Sequence, residues 1–206
     1  AALAAGVTGV SAGRAQDATP APHHTGPNPF AVAGGEISVR RSATSLSPEE
    51  RATYVNAVKA LKKKPSEYSP GLSVYDTFVA WHRDAFGCAI MAAHMGPAFL
   101  PWHRVFLRLF ELELQKVEPT ATVPYWDWTV DNGTDGGIWT DDFMGGDGDP
   151  NAEWKLTSGP FNAEAWEIKI FDYGDQLRTS AIVRSFGQGF SATLPTPEEV
   201  EQVLSV

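Results

Sequence analysis

The sequence predicts a mainly α-helical domain with long irregular loops, on three observations. Two stretches, 48–63 and 102–117, carry apolar residues at helical spacing between clear start and stop signals. A third apolar stripe of the same period begins near Ser73. Residues 131–150 are so rich in Gly and Asp that no regular element is expected there.

The first helix opens on Ser47-Pro48-Glu49-Glu50. Ser47 is a natural N-cap, Pro48 suits the first turn, and two Glu favour the positive end of the helix dipole. Tyr54, Val55, Val58 and Leu61 follow on one face, Lys62 to Lys64 complement the C-terminal dipole, and Pro65 stops the run. The second helix starts near Ser73, with Asp76 at capping-box spacing and Tyr75, Phe78, Val79, His82 and Phe86 on one stripe. The third follows Pro101. His103, Phe106, Leu107, Phe110, Leu114 and Val117 share its apolar face, Arg104, Arg108, Glu111 and Gln115 lie mostly elsewhere, and Pro119 ends it. A last helix opens with Thr196 as N-cap and Pro197 in its first turn.

The N-terminal 38 residues read differently. A small-apolar run leads to Gly13-Arg14-Ala15, which resembles the back half of an export signal, and 19–38 is a Pro/Gly-rich linker. Residues 39–206 are then one domain. No run of about 18 apolar residues offers a spanning helix. The net charge of -9 disfavours nucleic acid and anionic membranes as partners. All of that excess lies between Asp131 and Asp175, where eight Asp and three Glu face two Lys. The aspartates of 131–149 do not follow EF-hand spacing, so a solvated loop is expected rather than a calcium site. Asn132-Gly133-Thr134 is a glycosylation sequon. Cys88 is the single cysteine, which excludes an intrachain disulfide; a buried inert thiol is expected.

Histidine is the informative residue. There are five, and His23 and His24 sit in the linker. His82 and His103 lie on the apolar stripes of consecutive helices, with His94 in the Gly/Pro-containing segment between them. One His on an apolar face is ordinarily a satisfied core residue. Three imidazoles converging on one apolar space suit metal ligation, with Zn, Cu, Fe and Ni all open.

The run from His94 through FLPWHR to Glu111, with nine residues from His94 to His103, resembles the first copper-binding motif of the tyrosinase family. That group of type 3 dicopper proteins also holds catechol oxidases and molluscan haemocyanins. YDTFVAWH ending at His82, VPYWDW at 123–128, GPF at 159–161, LRTS at 177–180 and LPTPEEVEQVL at 194–204 extend the resemblance over roughly 45–206. It implies the CuA helix pair of a four-helix-bundle fold, with His82, His94 and His103 binding one copper. No histidine follows His103, so the chain is expected to stop before the CuB helices and to be the CuA half of such an enzyme.

The activity implied is copper-dependent oxidation of phenols, o-diphenols or o-aminophenols to quinones by O2, with a bacterial, secreted oxidase or monooxygenase as the whole. One copper cannot supply both electrons, so this chain alone is expected to be inactive. The alternatives are a truncated copper-binding paralogue without catalysis and, less in keeping with the chain's size, a haemocyanin-like O2 carrier. The partners implied are a phenolic small molecule, O2 and a copper-loading helper protein. Phe99 is expected to pack on a ligand ring, and Asp127 to accept a hydrogen bond from a ligand imidazole. Trp102 and Arg104 flank His103, with Arg104 as a structural ion-pair partner. Cys88 is too far in sequence from His94 for the thioether of some family members. Phe78, Phe106 and Phe110 are expected to form an exposed apolar patch that promotes self-association.

Overall fold

A computed structural model of the protein describes residues 38–87, 93–172, 175–187 and 194–205. The readings of the N-terminal tail and of Cys88 fall outside these residues. Within them the chain is mainly helical: α1 (Pro48–Lys63), α2 (Val74–Gly87), α3 (Phe99–Val117) and α4 (Pro197–Leu204). None is long and apolar enough to cross a membrane.

α1 begins and ends where its signals place it. Ser47 Oγ accepts from the Glu50 amide at 3.2 Å, and the Glu50 carboxylate accepts from the Ser47 amide at 2.8 Å, a complete capping box. Its inner face buries Val55, Ala57, Val58 and Leu61. At α2 the Ser73 hydroxyl accepts from the Asp76 amide and donates to Asp76 Oδ2. The other carboxylate oxygen, 2.9 Å from the Lys169 amide, also receives Lys62 Nζ of α1. One buried aspartate thus joins two helices and a strand.

α3 starts three residues before the expected 102. Pro101 falls in its first turn, where a missing N–H costs no helical hydrogen bond. The expected outward face of α3 is only partly outward. Glu111 and Glu113 are buried, because a second layer packs there: Arg40 and Arg108 pair with Glu111, while Lys64 and Lys116 pair with Glu113. Leu107 and Val117, by contrast, are partly exposed.

Two short antiparallel ladders were not anticipated from the sequence. β1 (Gly148–Asp149) pairs with β2 (Lys155–Leu156), and β3 (Ile168–Phe171) pairs with β4 (Leu177–Ser180), Ile168 opposite Ser180. β4 is exposed along its length, so it lacks the apolar alternation that marks a strand. β3 packs on α2, and Arg83 of α2 donates to the Phe171 carbonyl.

The acidic loop corrects the reading of a merely solvated stretch. It delivers Ile138 and Phe143 to the core, with Phe143 fully buried beside Tyr54 and Arg51. Asp131 Oδ2 accepts from Trp126 Nε1 and the Ile138 amide, both at 3.2 Å. Gly137 at φ 56 is required there, since a Cβ would lie 1.9 Å from Asp131 Oδ1. Asp147 and Asp149 likewise accept from backbone amides. The core that results, Leu61, Val74, Phe78, Leu114, Phe143, Leu156 and Trp166, fixes α2 against α3.

Candidate metal centre

α2 carries His82 in its third turn, α3 carries His103 in its first two, and the joining segment carries His94. His82 Nε2 and His103 Nε2 are 3.3 Å apart. The ring centroids stand 4.9 Å (His82–His94), 5.4 Å (His82–His103) and 5.2 Å (His94–His103) apart. One nitrogen from each imidazole falls within 4.8 Å of the others, the single such group among the described residues.

His103 Nδ1 lies 2.8 Å from the Phe99 carbonyl, one turn earlier. A carbonyl only accepts, so Nδ1 carries the proton and Nε2 presents its lone pair to His82. His94 Nδ1 is buried without a hydrogen-bond partner. Burial, followed by the positive character of His94 and His103, pushes the His82 imidazole below its usual value, so the ring is neutral near pH 7. The unpartnered buried nitrogen of His94 is unfavourable unless a cation or another polar group sits against it. Three imidazoles are a donor set that fits copper.

Aromatic rings close around the cluster. Phe99 lies 4.6 Å from the His103 ring and 6.4 Å from His94, Phe86 lies 4.9 Å from His94, and Trp102 lies 4.9 Å from His103. Phe106, stacked on Trp102 at 17°, covers His82 from 5.6 Å.

With this geometry in view, the model of the common central domain of tyrosinase matches residues 72–199. The chain belongs to the tyrosinase family. It is 34% identical over 190 residues to grixazone synthase of Streptomyces griseus and 35% identical over 172 residues to a tyrosinase of Streptomyces antibioticus. In both cases the match covers 82% of this chain and 59% of the relative. Among solved structures, a variant polyphenol oxidase from Thermothelomyces thermophila superposes with a TM-score of 0.53 at 25% identity, covering 78% of this chain and 45% of that one.

Other residues of this tyrosinase-family domain fall less simply. Phe86 was not singled out as part of the cluster, although its position four residues after His82 puts both on one helical face. Asp127 is corrected to a turn residue: its Oδ1 accepts from the Thr129 hydroxyl at 2.6 Å and amide at 3.1 Å, and its carbonyl accepts from the Val130 and Asp131 amides. The hydrogen bond from a ligand ring, that of His103 Nδ1, is accepted instead by the backbone carbonyl of Phe99. Arg104 is exposed, and among the described residues no carboxylate pairs with it, which corrects the ion-pair reading.

The expected exposed phenylalanine patch is corrected for Phe78 only. Phe78 is buried under Trp81, Phe106 and Phe110, at ring distances of 5.2–5.4 Å. Phe106 and Phe110 are half-buried and line a groove of about 540 Å³ that has His82 and His103 in its wall. Apolar residues are exposed also at the mouth of the cluster: Phe86, Met95, Phe99 and Leu100.

Proposed function

We propose that His82, His94 and His103 hold one copper ion, and that this domain is the CuA-bearing part of an oxidoreductase that oxidises phenols, o-diphenols or o-aminophenols to quinones with O2. The convergence of three imidazole nitrogens within 4.8 Å carries this reading. The similarity to a tyrosinase and to grixazone synthase supports the reaction class.

Bound copper would supply one-electron redox chemistry between Cu(I) and Cu(II). The chain's own groups do the rest. The Phe99 carbonyl holds the Nδ1 proton of His103 and so aims its Nε2 inward. His82 stays neutral and available as a ligand because its surroundings disfavour the imidazolium. Phe86, Phe99, Trp102 and Phe106 pack against the rings and help hold them in place. Oxidising a diphenol removes two electrons, and one copper takes only one. We therefore assign copper binding to these residues and oxidase turnover to the whole protein. The small-apolar N-terminal run supports export as the setting, and a phenol and O2 as partners follow from the reaction class.

Copper per chain in protein reconstituted with copper tests the reading. One ion per chain, lost in His94→Ala, with no quinone formed from catechol by these residues alone, is the expected result. Wild-type protein that takes up no copper, or a His94→Ala variant that takes up as much as wild type, would overturn it. One ion per chain with rapid quinone formation would refute the division of labour.

A further inference from the structure

Each helical histidine of the cluster is preceded by a tryptophan, Trp81 before His82 on α2 and Trp102 before His103 on α3. The two indoles have different surroundings. Trp102 lies against the cluster, 4.9 Å from the His103 ring and 5.9 Å from His82. Trp81 belongs to another face of α2, because consecutive helical residues are turned by about 100°. There its ring lies 5.2 Å from Phe78 and 5.4 Å from Tyr68, in the segment that joins α1 to α2. Trp81 and Tyr68 are both half-buried, so the pair leads from the histidine-bearing helix to the surface.

The far end of this path has a place for a proton. The Tyr68 hydroxyl donates to Glu113 Oε1 at 3.4 Å, and Glu113 is buried on α3 beside Lys64 and Lys116. Among the described residues no other tyrosine places its hydroxyl on a carboxylate. Burial, then the Glu113 charge, raises the Tyr68 phenol above its usual value, so the proton stays until an electron leaves. A phenol that loses an electron becomes a strong acid, and the carboxylate is in place to take its proton. Indole and phenol are the aromatic side chains that give up single electrons, and one peptide unit links Trp81 to His82.

We propose that Trp81 and Tyr68 form an electron relay that carries a single oxidising equivalent from the three-histidine cluster to the surface, with Glu113 receiving the Tyr68 proton. This rests on the copper reading above. The oxidant is hydrogen peroxide, whose reduction to water takes two electrons where one Cu(I) gives one. Tyr68 gives the second through Trp81. The O–O bond breaks, two protons from solvent complete two waters, and Cu(I) becomes Cu(II). The Tyr68 O–H bond breaks, and Glu113 holds that proton beside a neutral tyrosyl radical. The oxidising equivalent then sits where a reductant in solution reaches it, and the ligand imidazoles are spared.

The test loads the full chain with Cu(I) without air, measures copper per chain, adds one equivalent of hydrogen peroxide, and reads the frozen sample by electron paramagnetic resonance. Wild type should show a tyrosyl radical, and ring-deuterated tyrosine in the wild-type chain should narrow its signal, which assigns it without any substitution. Tyr68→Phe keeps the ring and loses the hydroxyl, and should abolish the signal; Trp81→Phe should weaken it several-fold. Both variants should bind as much copper as wild type. Peptide mass analysis should find oxidised His82, His94 or His103 several-fold more often in both variants than in wild type. A radical of wild-type yield in Tyr68→Phe, a signal that deuteration leaves unchanged, or no radical in copper-loaded wild type would overturn the relay and leave the three-histidine site standing. Wild-type protein that binds no copper would overturn the copper reading, and the relay with it.

Discussion

His82 and His103 bring their Nε2 atoms to 3.3 Å across the α2–α3 interface, although they are 21 residues apart in sequence. Phe78, one turn before His82, and Phe106, about one turn after His103, pack at 5.4 Å and set the spacing of the two helices. Metal affinity and helix packing are therefore linked, and a cation that binds only the folded cluster stabilises the fold.

Copper should accordingly raise the melting temperature of the wild-type chain and leave that of His82→Ala or His103→Ala unchanged. At a free metal concentration one hundred times the dissociation constant the gain is about 2.7 kcal/mol. Thermal melts with copper and after chelation check this. An equal rise in the His103→Ala variant would place the metal elsewhere.

Glu111 gives a prediction about acid. Burial by itself would raise its carboxyl, but hydrogen bonds from Arg40, the Val123 amide and Arg108 outweigh burial and hold it below the usual carboxylate range. A folded value below the unfolded one means that the contribution is fully present above the ordinary carboxylate value of 4.5 and is lost as pH falls through the folded value. Glu111→Gln should cost about 3 kcal/mol near neutral pH, because two guanidinium groups lose their buried partner. The variant's stability should then fall less steeply than wild type below the same pH. Urea melts at neutral and acid pH check both parts.

Gly137→Ala should destabilise the acidic loop. The new Cβ would meet Asp131 Oδ1 at 1.9 Å, at a φ of 56 that no alanine favours. Moving Asp131 breaks its bonds to Trp126 and to the Ile138 amide. A loss of about 2 kcal/mol is expected from the strain and the broken bonds together. Copper stoichiometry should be unchanged, because the loop supplies none of the clustered imidazoles. Urea unfolding and metal analysis of the same preparation test the two statements.

The helices were legible because their signals are local. Ser47 with Glu50 and Thr196 with Glu199 form the capping boxes that start α1 and α4, and Pro101 displaced the start of α3 only because proline is as welcome in a first turn as before it. The three clustered histidines were legible because two share apolar helical stripes and the third lies in the segment between them. The β3–β4 hairpin was not, because β4 is exposed and its residues alternate no apolar face. Asp127 was misassigned for a related reason: an aspartate between two tryptophans looks the same in sequence whether it caps a turn or serves a metal ligand.

By itself the sequence determined the helices, their caps and the histidines that the fold would gather, since each depends on side-chain period or on contacts within one turn. Only the tertiary structure decided what those residues meet. Asp76 was readable as the cap of α2, but its bonds to Lys62 and to the Lys169 amide join segments 14 and 93 residues away from it. Glu111 was readable as a polar helical residue, but Arg40 reaches it across 71 residues and makes it a buried ion. The acidic loop was readable as irregular, but the burial of Phe143 depends on α1 standing where it does. Contacts of that range depend on how the whole chain packs its apolar surface, and no local pattern records them.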